Sequence, residues 1–323
     1  MGVDFSRVGI AVGHATDDAA ATGCTVIRGV EQPLRGGVAV FGRATGSREL
    51  HALGTDALAD RVDAVLLTGG SAYGLDAAAG VMRWLEERKR GFPVGAGVVP
   101  IVPGAVIFDL GPLGRFDGRP TPAMGYEAAD TAAATGVAEG SVGAGAGATV
   151  GKAAGIARAM KGGVGCALRE SAGVAVAAVA VVNAFGDVHD GEGNVLAGAR
   201  ADGGGFLHAS RMLVEHPHRI AELAAEQRMR NTTLAVVATS AALDRVQLSQ
   251  LARAAGAALF HRISPAGSSF DGDIVFALGA RDGTGADALH VEALAIAALE
   301  EAIERGVRLA VGRAGVPGLA DRA

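Results

Sequence analysis

Hydrophobic positions along this chain fall into short β-branched runs separated by Ala-rich stretches with helical spacing. The runs at 8–12, 25–27, 38–41, 64–67, 98–102, 174–182, 233–237 and 274–278 predict strands, because β-branched side chains fit a pleated surface. Helical spacing predicts helices over 75–90, 243–259 and 288–305. The first carries Val81, Trp84 and Leu85 on one face and closes on Arg88, Lys89 and Arg90 before Gly91. A basic last turn and a glycine stop are the expected helix C-terminus. Runs apolar at every position, such as 174–182, imply strands buried on both faces with helices outside, hence a layered α/β or α+β domain.

One segment breaks this pattern. Residues 208–230 are polar and charged, with Glu215, His216, His218, Arg219, Glu222, Glu226, Arg228 and Arg230, and read as a mobile connector. They run straight into Asn231-Thr232-Thr233-Leu234-Ala235-Val236-Val237, which reads as a buried strand. A polar connector ending abruptly at a buried strand marks the junction as a place where something happens.

Composition narrows the function classes. The chain has 323 residues, 50% of them apolar, enough for a large core without a linker or repeat that would divide it. Its net charge is −5 with no basic block, which argues against nucleic-acid binding. The mean hydropathy of +0.31 comes from Ala and Val diluted by 50 Gly. The longest apolar stretch, 172–182, is too short to span a bilayer. The start of the chain lacks the layout of a secretory signal, and Cys24 and Cys166 show no metal-type spacing. The expectation is a cytoplasmic protein with two reduced core thiols, no metal and no cofactor.

Several motifs point to chemistry they do not complete. The glycine run 141–152 places Ala146 and Ala153 where a phosphate-binding loop needs Gly and Ser or Thr. Its better reading is close backbone approach that delivers Lys152 to a crowded site. Ser71 sits in a strand–turn–helix layout, but Tyr73 is too large for a nucleophile elbow, and a helix N-cap accounts for Ser71. The acidic stretch 187–194 lacks the carboxylate spacing of a calcium loop and reads as a hairpin turn.

The remaining constellation suits an N-terminal nucleophile. If Thr232 began a chain, its own α-amine, with a pKa near about 8, would be the base that its hydroxyl needs. Exposing it requires breaking the bond from Asn231, by attack of the Thr232 hydroxyl on the Asn231 carbonyl. Asn183, at the end of the most apolar strand, is a candidate oxyanion donor. Lys152 is a candidate cation beside the hydroxyl. Asp271 and Asp273, spaced i, i+2, would share one face if the strand 274–278 included them. Taken singly, each residue fits an ordinary role better: strand residue, strand terminator, surface charge, turn.

Read together and in order, these motifs resemble the family of L-aminopeptidase/D-esterases and β-peptidyl aminopeptidases. The resemblance runs from Val8-Gly9-Ile10-Ala11-Val12-Gly13-His14 through Leu67-Thr68-Gly69-Gly70-Ser71-Ala72-Tyr73-Gly74-Leu75, the glycine run and Lys161-Gly162-Gly163-Val164-Gly165 to the Asn231-Thr232 and Phe270-Asp271-Gly272-Asp273 segments. It implies an α+β fold, a four-layer αββα sandwich similar to N-terminal-nucleophile hydrolases, as one domain cut into an α chain (1–231) and a β chain (232–323). It further implies Thr232 as nucleophile, Lys152 and Asn183 lining the site, and Asp271 and Asp273 holding the nucleophile's amine and hydroxyl. The implied substrate is a small amide or peptide, and the implied assembly a homo-oligomer, commonly a tetramer of αβ units. A threonine followed by an Asp-Gly-Asp pair looks more like the endo-type nylon-oligomer (6-aminohexanoate-oligomer) hydrolase branch than the serine aminopeptidases. A β-peptidyl or L-aminopeptidase, an acyltransferase similar to ornithine acetyltransferases, and an uncleaved phosphate-binding protein are the alternatives.

Overall fold

The run Val174–Asn183 is buried along its whole length because it lies between two apolar surfaces. In the computed structural model, which describes residues 2–216 and 231–322, ten strands make two five-stranded sheets. The strands are β1 (Ile10–Asp17), β2 (Thr22–Gly29), β3 (Arg35–Val40), β4 (Ser47–Arg48), β5 (Ala64–Thr68), β6 (Gly104–Val106), β7 (Val164–Ser171), β8 (Val174–Asn183), β9 (Thr232–Ala241) and β10 (Ile274–Thr284). The first sheet has the order β1-β2-β5-β6-β4 and the second β7-β8-β9-β10-β3.

Alternation along the strands sorts side chains into separate cores. On β8, Ala175, Ala177, Val179 and Val181 join Ile10, Val12, Ile27, Val65 and Leu67 of the first sheet. Val176, Ala178, Ala180 and Val182 point the other way, toward helices α4 (Arg245–Ala255), α5 (Ala257–Arg262) and α6 (Ala288–Arg308). The other face of the first sheet, through Cys24, Val26, Ala64 and Leu66, packs on α1 (Ala77–Glu87) and α2 (Pro122–Asp130). The protein is therefore a mixed α+β structure in which the second sheet is covered on both faces, as the unbroken apolar runs required.

Local chemistry explains the departures from the sequence reading. The expected strand 98–102 is instead divided. Gly97–Val99 pairs with Phe92–Val94 in a small separate ribbon, while Gly104–Val106 enters the sheet. Pro100 and Pro103 between them have no N–H to give a ladder. The expected helix 243–259 is two helices that meet at Gly256, where a side chain would lie 2.0 Å from the Phe41 ring. Ser71 is not an N-cap. Gly70 occupies that position, its N–H held by the Asp109 carboxylate at 2.6 Å, and Ser71 is turned to φ +51°.

Strand β7 and helix α2 are among the elements that escaped the pattern. Strand β7 is joined to β8 through Ala172 and Gly173, both at positive φ, the geometry of a tight hairpin. Helix α2 begins at Thr121, whose side chain accepts from the Met124 N–H, with Pro122 in the first turn. That Thr-Pro start was a legible signal. Within the polar stretch 208–230, Ala209–Glu215 forms helix α3, and residues 217–230 lie outside the described residues. Both cysteines are buried free thiols, and among the described residues no helix is long and apolar enough to cross a membrane.

Helix α6 crosses β7 in contact with its backbone. A Cβ on Gly165 would lie 2.0 Å from the Ala302 carbonyl oxygen and 2.3 Å from the Gly306 nitrogen. Overpacking of this kind typically costs about 1–3 kcal/mol. Gly165→Ala is therefore expected to lower stability by that order in urea unfolding; an unchanged midpoint would contradict the contact.

Candidate active site

Asn183 is the last residue of β8 and Thr232 the first of β9, and the antiparallel ladder pairs them directly. Strand β10 runs parallel to β9, so its approach, Asp271-Gly272-Asp273, arrives beside the same end. A parallel bridge joins Asn231 to Asp271, and Gly272 donates its N–H to the Asn231 carbonyl oxygen at 3.0 Å. The topology thus brings Asn183, Asn231, Thr232, Asp271 and Asp273 together at one end of the second sheet. All of them are buried.

Lys152 completes the set. The chain turns into it at Gly151, whose φ of +68° and lack of a side chain are both needed, since a Cβ there would lie 2.1 Å from the Gly198 carbonyl carbon. Lys152 is buried, and its Nζ donates to Asn183 Oδ1 at 2.8 Å and to the Asn183 carbonyl oxygen at 3.1 Å. Asn183 Oδ1 also accepts the Thr149 N–H at 3.0 Å, while Nδ2 donates to the Phe108 carbonyl oxygen at 3.4 Å. Two donors on one side and an acceptor on the other fix which way the carboxamide faces.

The Thr232 hydroxyl donates to the Asn231 carbonyl oxygen at 2.6 Å. Glycine at position 272 is required here, because a Cβ would lie 2.7 Å from Thr232 Oγ1. The two aspartates do not share a strand face, since both precede β10. Asp273 reaches across to β9, accepting the Thr233 N–H at 2.6 Å with one oxygen and the Gly267 N–H at 3.3 Å with the other. Asp271 folds back on its own loop to accept the Ser268 N–H at 2.7 Å. Burial pushes the Asp273 carboxyl up to about 7, the neighbouring Asp271 charge adds to this, and backbone donors and Lys152 oppose it. Burial raises Asp271 too, against its hydrogen bonds to Ser268 and the charge of Lys152.

Several participants were missed from sequence. The Gly272 N–H and the Phe108 carbonyl are main-chain groups, which no residue identity announces. The Asn231 side chain is fully buried, and among the described residues neither carboxamide atom has a hydrogen-bond partner. Such a group costs about 1–3 kcal/mol. The glycine run packs against the protein itself: a Cβ on Gly147 would lie 2.2 Å from the Ala21 carbonyl oxygen, and one on Gly145 2.5 Å from the Val164 nitrogen. Residues 187–194 form the expected hairpin turn, with Asp190 accepting from Glu192 and Asn194 N–H groups.

The family description "Peptidase family S58" matches residues 7–318. The chain belongs to peptidase family S58. Membership makes it a hydrolase of amide bonds, and the resemblance read from its motifs holds. This S58 peptidase is 43% identical to an uncharacterized aminopeptidase of Mycobacterium tuberculosis, over 97% of this chain and 89% of that one. It is 30% identical to a 6-aminohexanoate-oligomer endohydrolase of Kocuria sp., over 85% of this chain and 74% of the other. Among solved structures, the L-aminopeptidase D-Ala-esterase/amidase of Ochrobactrum anthropi superposes with a TM-score of 0.69 at 19% identity, covering 96% of this chain and 88% of that one. A Burkholderia sp. beta-aminopeptidase gives 0.67 at 22% identity, covering 99% and 92%. At these identities the two structures speak to fold, and the first is described as a variant of the Ntn-hydrolase fold.

The Asp273 carboxyl has a stability consequence with a definite sign. Its folded value of about 7 lies above the ordinary 3.8, so its contribution to stability is fully present below about pH 4 and is lost as pH rises through about 7. Asp273→Asn keeps the shape and removes the ionisation. With Thr232→Ala in both chains to keep their covalent state equal, the melting temperature of the Asn chain relative to the Asp chain is expected to rise between pH 5 and pH 8. A difference that is flat or falls with pH would refute the assignment.

Proposed function

We propose that this chain is the precursor of an amide hydrolase whose nucleophile is Thr232, exposed when the chain cuts its own Asn231–Thr232 bond into an α chain (1–231) and a β chain (232–323). The observation that carries this is the 2.6 Å hydrogen bond from the Thr232 hydroxyl to the carbonyl oxygen of the bond to be cut, inside a buried site. In self-cleavage, Thr232 Oγ1 forms a bond to the Asn231 carbonyl carbon, and the charge that develops on the oxygen meets the Gly272 N–H. The C–N bond then breaks as the proton given up by the Thr232 hydroxyl passes to the Thr232 nitrogen, leaving an ester that water hydrolyses to the Asn231 carboxylate and the free hydroxyl. The unpartnered carboxamide of Asn231 raises the free energy of the uncut chain and favours this step.

In the mature enzyme the freed α-amine of Thr232 takes the hydroxyl proton as the oxygen attacks a substrate amide. Asn183 supplies a donor toward the oxyanion, and Lys152, anchored on Asn183, biases the hydroxyl toward ionisation. Asp273, bonded to the residue after the nucleophile, and Asp271 hold the amine and hydroxyl in register. The leaving amine departs protonated, and water releases the acyl group. The helix–sheet–sheet–helix packing order supports reading the fold as a four-layer αββα sandwich. The substrates we assign are amide bonds of small peptides or aminohexanoate oligomers, supported by similarity to a 6-aminohexanoate-oligomer endohydrolase. Assembly as a homotetramer of αβ units belongs to the same reading and is tested by light scattering of the purified protein.

Denaturing electrophoresis with intact-mass measurement tests the cleavage. Wild type is expected to give two fragments, one beginning at Thr232, and Thr232→Ala one uncut chain. A wild-type chain that stays intact after long incubation sinks the proposal. For the mature enzyme, Asn183→Ala is expected to lower kcat by ~10²–10³ on an aminoacyl p-nitroanilide, as loss of an oxyanion donor does. Adding an amine acceptor is expected to leave the product a free acid; capture of the acyl group by the amine would favour a transferase instead.

A further inference from the structure

Two fully buried charges lie behind the reaction centre and take no part in the chemistry proposed above. The Lys161 ammonium donates to three main-chain carbonyl oxygens, those of Gly145, Ala148 and Gly162, each at 2.9 Å. The Asp109 carboxylate accepts the Gly70 N–H at 2.6 Å and the Thr22 hydroxyl at 2.8 Å. Neither charge touches Thr232 through a hydrogen bond given by the structure, but each is bonded into a segment that does reach Asn183.

Ala148, tied to Lys161, is followed by Thr149, whose N–H holds Asn183 Oδ1. Asp109 is preceded by Phe108, whose carbonyl oxygen holds Asn183 Nδ2. The two arms also meet, because a Cβ on Gly147 would lie 2.6 Å from Asp109 Cβ. The ammonium and carboxylate attract one another as well. A buried charge is a costly way to gain stability. Its value lies in fixing geometry: three carbonyls converging on one ammonium admit one path for the glycine run.

We infer that Lys161 and Asp109 are positioning residues that clamp the Asn183 carboxamide from its two ends and so aim the oxyanion donor of the reaction. The inference rests on the role proposed for Asn183. Burial has pushed the Lys161 ammonium down to about 7, against the attraction of Asp109, which agrees with a group kept for placement at an electrostatic cost.

The test is a double-mutant cycle between Lys161→Met and Asn183→Ala. Its two readouts are the half-life of intact precursor in cell-free translation and steady-state hydrolysis of L-alanine p-nitroanilide. Lys161→Met alone takes the ammonium from three buried carbonyls and is expected to lower the melting temperature, and also to lengthen the precursor half-life and lower kcat by about tenfold or more with KM nearly unchanged, a share of the ~10²–10³ carried by the donor itself. In the Asn183→Ala chain the same substitution is expected to add nothing to the half-life. Wild-type half-life and kcat in Lys161→Met, or an equal loss with and without Asn183, overturns the inference. If Lys161→Met does not accumulate folded, Asp109→Asn, which keeps the shape and removes the charge, decides by the same two readouts. A wild-type chain that never cleaves would instead defeat the underlying reading of Thr232, an outcome visible before any variant is made.

Discussion

The pairing of Asn183 with Thr232 at the end of the β8–β9 ladder is the constraint from which the rest of the site follows. It sets the distance between a carboxamide and a hydroxyl by backbone hydrogen bonds, which are less adjustable than side-chain rotamers. It also puts both groups where two apolar cores meet, so that every polar atom brought there must find a partner or bear the cost of desolvation. Lys152, Asp271 and Asp273 are placed by that requirement as much as by chemistry. The lysine satisfies the Asn183 oxygens, and Asp273 satisfies the first main-chain N–H past Thr232.

Small residues make the arrangement physically accessible. Gly272 lets the Asp271–Asp273 segment pass within contact of Thr232 Oγ1, and Gly42 lets the chain after β3 close over that segment, where a Cβ would lie 2.3 Å from the Asp271 carbonyl oxygen. The alanines of β8 serve the same end. Ala175, Ala177, Ala178 and Ala180 bring the sheet close to its neighbours on both faces, which larger side chains would hold apart. The high Ala and Gly content therefore reflects a structure whose main chains run unusually near one another. That closeness is what lets the backbone N–H of Gly272 reach the Asn231 carbonyl.

How much of this was legible follows from which groups do the work. The strands 174–182, 233–237 and 274–278 were readable because burial on both faces demands unbroken apolar runs. The five side chains Lys152, Asn183, Thr232, Asp271 and Asp273 were readable only as a set and by resemblance, since each also suits a turn or a strand end. The premise that Asp271 and Asp273 share a strand face failed because β10 starts at Ile274, after both of them, and the two carboxylates bond to different segments. Strand β7 was hidden by Gly165 and by charged residues at its exposed end, and its pairing is set by a hairpin turn at Ala172, an unexpected residue for positive φ. Main-chain donors leave no mark in a sequence at all.

In the proposed reaction, precursor and mature enzyme would place opposite demands on the same few atoms, and the structure offers a physical way to meet both. Before cleavage the Asn231 carbonyl must be held against the hydroxyl, which the Gly272 N–H and the Asn231–Asp271 bridge accomplish. After the proposed cleavage that same residue would have to yield its place. A residue with well-satisfied side-chain hydrogen bonds would be slow to leave, whereas the Asn231 carboxamide has none to lose. Under the proposed cleavage, Asn231 would have no side-chain hydrogen bond to break on leaving, while Thr232 would stay fixed by a ladder that the cut does not touch.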